Sequence, residues 1–380
     1  VTRRVAIVGA ALSDCGRVDT LSPFHLHQQA ASRALAGAGL TKADIDGFGS
    51  TGMGLFPPVE IAEYLGLKPT WVDGTVVGGS TWLVMAEHAV EAIAQGHAET
   101  VLLAYGATVR ADLKSGRRSA VSFGARGPVQ FDIPYGHTLI SKYAMVARRH
   151  MHEYGTTIEQ LAEIAVSTRY NASLNPDAYY RDPITIDDVQ SSRMIADPLT
   201  KLHCCIRSDG GGAVILTSEE RARDLNLPPL FVLGSGETTS HTTLTDWDDF
   251  TDSPARISGR LAFDRAGLTP ADVDVCQIYD AFTPMVLLSY EALGFCGKGE
   301  GGPFVEDGKM RVGGALPTNT DGGGLSCCHT GMRGMFIMVE AAKQLWGQCG
   351  DRQVHDAKIA CVNGTGGWFS SAATLLLGRE

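Results

Sequence analysis

Ala38-Gly-Leu-Thr-Lys-Ala-Asp-Ile-Asp46 returns in the second half of the chain as Ala266-Gly-Leu-Thr-Pro-Ala-Asp-Val-Asp274. Each copy follows a helix-like tract and precedes a strand-like tract. A repeat with so long a period marks two whole half-domains, each needing the other to cover its apolar faces. Function is expected where the halves meet.

Outward from the first copy, Val5-Ala-Ile-Val8 is a buried-strand run, and His25 to Gly39 reads as an amphipathic helix with a glycine stop. Thr81 to Gln95 is the next helix, ended by Gly96, and Thr100 to Tyr105 is a strand apolar on both faces. From about 107 to 200 the order breaks into an insertion, with helices at about Thr138–Tyr154 and Ile158–Asn171. A segment that long carries function or covers it. Asp209 to Thr217 closes the first half. The second half replays the order: strand Leu230–Leu233, helix about 254–267, strand Val275–Tyr279, helix about 331–346, then strands Lys358–Val362 and Ala373–Leu377. The expected division is 1–225, insertion included, and 226–380, in a layered α/β architecture.

With 380 residues, 44% hydrophobic and 19% charged, the chain can fill one large core, as a globular enzyme does. The net charge of −10 gives no general footprint for nucleic acid or an anionic membrane. No apolar run approaches the roughly 20 residues of a membrane span. Val1 to Gly9 reads as a first strand whose apolar run is too short for a signal peptide, so a cytoplasmic location is expected. Nine cysteines, with adjacent pairs Cys204-Cys205 and Cys327-Cys328, point to free thiols rather than a framework of bridges. Without Cys-x-x-Cys or His-Glu-x-x-His, no metal is expected. Without a Gly-x-Gly-x-x-Gly or a P-loop in strand-turn-helix context, nucleotide redox and phosphoryl transfer are not expected either.

The second half also carries Tyr279-Asp-Ala-Phe282, Gly294-Phe-Cys-Gly-Lys-Gly-Glu300, Gly322-Gly-Gly324, His329-Thr-Gly-Met-Arg-Gly334 and Asn363-Gly-Thr-Gly-Gly367. With the duplicated order of elements, these stretches resemble the lipid-transfer-protein branch of the thiolase superfamily, from Arg4 to Gly378. The resemblance implies a thiolase-like fold of two half-domains in α-β-α-β-α layers. Ordinary thiolases place a nucleophilic cysteine at a helix N-terminus, where backbone amides lower its pKa. Counting back from Gly96 puts Gly79 there, in Val77-Gly-Gly-Ser-Thr-Trp82. The second thiolase cysteine falls on Val362, and Cys361 reads as a packed strand residue. Both losses point away from thiolysis and condensation.

Tyr279-Asp-Ala-Phe282 stands where the thiolase Asn-Glu-Ala-Phe loop would, and resembles steroid side-chain aldolases of this superfamily. The resemblance implies retro-aldol cleavage of a β-hydroxyacyl thioester. The second tyrosine of those relatives falls on Cys328 by ungapped counting. His329 is the titratable substitute: a base for the β-hydroxyl, with Tyr279 polarising or relaying the proton. Asp280 orients one of these groups or starts the following helix, and Cys328 stands as a residual thiol. Gly78, Gly79 and Ser80, with Gly364 and Gly366 of the opposite turn, are candidates to line the substrate site, as is His137 in the insertion. Ser80 is a possible hydroxyl substitute for the missing thiol. Gly78 to Ser80 equally suits close backbone approach and an N-cap. His203-Cys204-Cys205 reads as core packing.

No tightly bound cofactor is expected. Coenzyme A enters as the family's acyl carrier, with Lys142, Arg148 and Arg149 either meeting its phosphates or forming a solvated face. The resemblance further implies a homodimer through sheet edges and a small OB-fold and zinc-ribbon partner. Two alternatives stand beside the lyase: a degenerate thiolase or acyltransferase, and a non-catalytic lipid or acyl-CoA binding subunit.

Overall fold

The structure, a computed structural model, describes residues 3–51, 55–116, 127–136 and 138–379. The first half contributes β1 (Val5–Leu12), β2 (Gly47–Gly49), β3 (Trp71–Asp73), β4 (Thr100–Ala107), the short ladder β5 (Met194–Ala196) with β6 (Leu199–Thr200), and β7 (Gly210–Ser218). The second contributes β8 (Leu230–Thr239), β9 (Val275–Ile278), β10 (Ile359–Gly366) and β11 (Ser371–Gly378). Nine of these form one sheet in the order β3-β2-β4-β7-β1-β8-β11-β10-β9. The order is symmetric about β1 and β8: β2 and β4 run parallel, as do β9 and β10, and every other neighbouring pair from β4 to β10 is antiparallel.

The repeated motif does the same work in both halves. Its glycine, Gly39 (φ 75°) or Gly267 (φ 65°), ends a helix in the left-handed region. Its threonine and first aspartate close on each other, Thr41 N to Asp44 at 2.8 Å and Thr269 N to Asp272 at 2.8 Å. Its last aspartate anchors the neighbouring strand: Asp46 accepts from Thr100 N at 2.8 Å, and Asp274 from Ile359 N at 2.9 Å. Such backbone bonds to a carboxylate contribute about 1.5–3 kcal/mol each.

Alternation along the strands sorts the layers. Val5, Ile7, Val214, Leu216, Val362 and Leu375 face a central core with Trp82, Leu83, Met335 and Phe336. Ala6, Val8 and Ile215 face the outer helix Pro23–Ala38, and Cys361 and Leu376 face the outer helix Ala255–Ala266. The helices Thr81–Ala94 and Gly334–Leu345 are the middle layer, packed on strands of both halves. The α-β-α-β-α order is present, with the two half-sheets joined where Ala6 pairs with Phe231 and Ile7 with Leu230.

The insertion after β4 carries the helices Leu139–Tyr154 and Ile158–Ser173, while the corresponding link in the second half is the short turn between β10 and β11. One expectation is corrected here. Gly364 to Gly366 belongs to strand β10, paired with Ser371 to Ala373, rather than to a turn. The glycines keep the strand thin where the other half comes against it. Among the described residues no helix is long and apolar enough to cross a membrane, and all nine cysteines are free thiols.

Candidate active site

Tyr279 leaves the C-terminal end of β9 and is held by its backbone, its N–H donating to Asn363 O at 2.9 Å. The same loop is backed by the stretch after His203, where Cys205 N donates to Ala281 O at 2.7 Å. His329 is fixed by Ser208: His329 N–H donates to Ser208 Oγ at 2.8 Å, and Ser208 N–H to His329 O at 3.1 Å. The two side chains meet edge to face, rings 5.6 Å apart at 88°, with Tyr279 Oη 3.1 Å from His329 Nε2. Gly331 N–H points at His329 Nδ1 at 3.4 Å, which places the ring proton of the neutral histidine on Nε2, donating to Tyr279. The Arg333 backbone N–H, at the start of the helix Gly334–Leu345, lies on the phenol side and works against the rise that burial imposes on it.

The electrostatics correct one expectation. Burial, reinforced by the Arg333 charge, pushes the His329 imidazole down to about 3, so it does not titrate near neutrality. Burial also raises the Tyr279 phenol well above its ordinary value. The pair is uncharged at neutral pH. Behind it Arg333 is fully buried between two acids, with Nη2 on both Asp321 oxygens at 2.6 and 2.7 Å, Nε 3.2 Å from Asp280, and Nη1 on Cys328 O at 2.7 Å. Burial would raise the Asp321 carboxyl, but the charge and hydrogen bonds of Arg333 hold it low. Asp280, for which burial outweighs Arg333, rises to about 6. Asp280 does not face the phenol: it accepts the amides of Gly324 at 2.7 Å and Leu325 at 3.3 Å, and so holds the Gly-rich turn leading to His329.

Gly79 lies against the Tyr279 ring. A Cβ there would be 2.3 Å from Tyr279 Cε2 and 2.4 Å from Thr365 O. The phenol ring therefore takes the space that a side chain at the thiolase-cysteine position would need. Gly78, Gly364 and Gly366 serve the same contact between halves: a Cβ on Gly366 would be 1.9 Å from Val77 O, one on Gly364 3.0 Å from Ser80 Cα, and one on Gly78 2.8 Å from Gly366 Cα. Ser80 is fully buried, its hydroxyl 2.7 Å from that of Ser371. It makes no side-chain cap, and Thr81 Oγ1 takes the Val77 N–H instead.

The remaining expected residues are spread more widely. Cys328 turns away from Tyr279, its sulfur 3.1 Å from Ser208 Oγ, onto a cavity of about 520 Å³ that neither Tyr279 nor His329 lines. His137 lies outside the described residues. Lys142 is not available to phosphates: it is buried, 2.8 Å from Asp132 and over the Trp368 ring. Arg148 pairs with Asp197 and Arg149 with Glu153. His203 is core, bonded to Thr283 Oγ1 at 2.9 Å, and Cys361 packs in the outer core. Sequence reasoning missed Ser208, Asp321 and Arg333. The available signal was an arginine inside the Gly-rich stretch His329–Gly334, where a charge in apolar surroundings demands buried partners.

A family model for the thiolase C-terminal domain-like family matches residues 236–379. An acetyl-CoA acetyltransferase of Methanothermobacter thermautotrophicus is 35% identical, the match covering 99% of this chain and 100% of that protein. A 17-hydroxy-3-oxo-4-pregnene-20-carboxyl-CoA lyase of Mycobacterium tuberculosis is 36% identical over 90% of this chain and 92% of that one. Among solved structures, an Ltp2-ChsH2(DUF35) aldolase superposes with a TM-score of 0.89 at 32% identity, covering 99% of this chain and 98% of that one. From this agreement of sequence and fold over the whole length, the chain belongs to the thiolase superfamily, in its lipid-transfer-protein branch.

Proposed function

We propose that the chain is a carbon–carbon lyase that cleaves a β-hydroxyacyl-CoA by a retro-aldol step, with a steroid-derived side chain as the substrate class. The carrying observation is the Tyr279–His329 pair standing 3.1 Å apart, with the tyrosine ring against Gly79 where a thiolase nucleophile would stand. The names of the M. tuberculosis lyase and of the superposed aldolase support this reading. The acetyltransferase relative supports the alternative, against which the missing thiol at Gly79 argues.

Retro-aldol cleavage moves one proton from the β-hydroxyl to the α-carbon and leaves the protein's charge unchanged. An uncharged pair suits it. With Tyr279 Oη accepting from His329 Nε2–H, its own proton is left to face substrate. As the Cα–Cβ bond breaks and its electrons move into the thioester as an enolate, the phenol hands this proton to the α-carbon and takes the β-hydroxyl proton in its place, His329 Nε2–H supporting the phenol oxygen during the exchange. The new carbonyl compound leaves, and the phenol is again protonated. The helices Thr81–Ala94 and Gly334–Leu345 both start here, Gly79 O lying 2.5 Å from a Cβ built on Gly334, so two positive dipole ends meet the developing charge. Gly78, Ser80, Gly364 and Gly366 shape the wall by packing.

The strand β3 is one edge of the sheet, and Leu55, Phe56, Val72 and Val76 beside it are exposed, which supports a homodimer through that edge. The superposed Ltp2-ChsH2 structure supports a small partner protein as well. The lyase reading is tested by incubation with acyl-labelled β-hydroxyacyl-CoA followed by denaturing gel analysis. No covalent acyl-enzyme is expected, and a stable adduct at Cys328 or Ser80 overturns the reading in favour of acyl transfer.

A further inference from the structure

The cavity of about 520 Å³ runs behind the His329 loop, with Leu12 and Cys15 on one wall and Cys327, Cys328 and Lys343 on another. Cys15 is half-buried and Cys328 buried. Both flank residues 208–210, the extended entry into β7. Cys328 Sγ lies 3.1 Å from Ser208 Oγ and 3.8 Å from Asp209 O, which Gly16 N–H meets at 2.8 Å, and a Cβ on Gly210 would stand 2.7 Å from Cys15 Sγ. Cys15 and burial together push the Cys328 thiol well above its ordinary value. Neither sulfur has a part in the Tyr279–His329 chemistry.

We propose that Cys15 and Cys328 are an oxidative modification site: hydroperoxides entering this cavity join them in a disulfide that locks the His329 loop. Cys15, the more exposed thiol, gives up its proton and attacks the peroxide, whose O–O bond breaks to leave Cys15 sulfenic acid and one water or alcohol. Cys328 sulfur then displaces the hydroxyl as a second water, so two thiols are oxidised and one peroxide reduced. Cys328 is extended (φ −158°, ψ 132°), so its side chain and that of His329 leave opposite sides of one backbone. A covalent pull on Cys328 therefore acts on the residue that carries the imidazole.

A second cysteine pair supplies an internal control. Cys276 and Cys361 are cross-strand partners on β9 and β10, both fully buried and neither lining the cavity. The test is peptide mapping of the full-length chain under non-reducing conditions after dilute hydrogen peroxide, with Cys15→Ser and Cys276→Ser beside it. The expected result is a Cys15–Cys328 linked peptide lacking two hydrogens, reversed by dithiothreitol, absent from Cys15→Ser and retained in Cys276→Ser. Hydrogen exchange in 323–331 slows several-fold on oxidation. Over-oxidised Cys15 with no linked peptide, or linkage to Cys327 instead, overturns the assignment, and unchanged exchange in the linked form overturns the lock. None of these readouts uses catalysis, and the wild-type map stands even if a variant fails to fold.

Discussion

Replacing Gly79 by alanine adds one methyl group at the most crowded contact of the site. That carbon would stand 2.3 Å from Tyr279 Cε2, 2.4 Å from Cζ and 2.4 Å from the backbone oxygen of Thr365, against about 3.5–4.0 Å for carbons at rest. The oxygen belongs to strand β10, where Thr365 is paired with Ala372 of β11, and cannot withdraw, so the ring must move by about 1 Å or the turn must lift. Overpacking of this kind costs about 1–3 kcal/mol of stability. A shift of about 1 Å also opens the 3.1 Å contact between Tyr279 and His329, a misplacement worth about 10²-fold in rate. Urea unfolding gives the first quantity and kcat/KM for cleavage of a β-hydroxyacyl-CoA the second. Gly79→Ala with wild-type stability and wild-type kcat/KM would refute the close approach.

Tyr279→Phe keeps the ring and removes the hydroxyl, so turnover should fall about 10²–10⁴-fold while stability drops by about 1–2 kcal/mol; undiminished turnover contradicts the assigned role. Arg333→Met strands Asp280 and Asp321 without a counter-charge and should cost about 3–5 kcal/mol in denaturant unfolding, a loss below about 1 kcal/mol arguing against the buried triad. His27 and His203 are pushed by burial to about 4 and His329 to about 3, from 6.5, so the unfolded chain takes up these protons first. Their stabilisation is complete above about pH 6.5 and is lost as pH falls through that window. Asp280, raised from 3.8 to about 6, acts in the opposite sense, its contribution present below 3.8 and lost as pH rises through 6. In unfolding measured from pH 6.5 to 5, His329→Gln should flatten the slope by an amount that grows from about half a proton to nearly one, up to about 1.4 kcal/mol per pH unit, and an unaltered slope means His329 is not held neutral.

Much of the frame was legible because its signals are local. The Ala-Gly-Leu-Thr copies carry their own helix stop and turn, Gly39 with Thr41 and Asp44, and Gly267 with Thr269 and Asp272. Thr100 to Tyr105 announced a strand covered on both sides because each face meets its own core. What stayed hidden depends on contacts between distant segments. The seam from β1 to β8 rests on two residue pairs, which no periodicity records. The glycines of β10 resemble a turn until the opposite half is seen against them. At the site, Tyr279 and His329 could be named from their loops, but the imidazole's loss of basicity comes from burial beside Arg333. Gly79 could be read as a missing thiol, yet not as the bed of the tyrosine ring.

The central claim is that this thiolase frame breaks a carbon–carbon bond without a nucleophilic cysteine. The most direct measurement offers the purified chain a β-hydroxyacyl-CoA, and separately a β-ketoacyl-CoA with free CoA, and identifies the products by mass spectrometry. Retro-aldol chemistry predicts that the β-hydroxyacyl-CoA yields a ketone or aldehyde and a shorter acyl-CoA with no free CoA consumed, the β-ketoacyl-CoA being left intact. Thiolysis of the β-ketoacyl-CoA, with the β-hydroxyacyl-CoA unchanged, would contradict it.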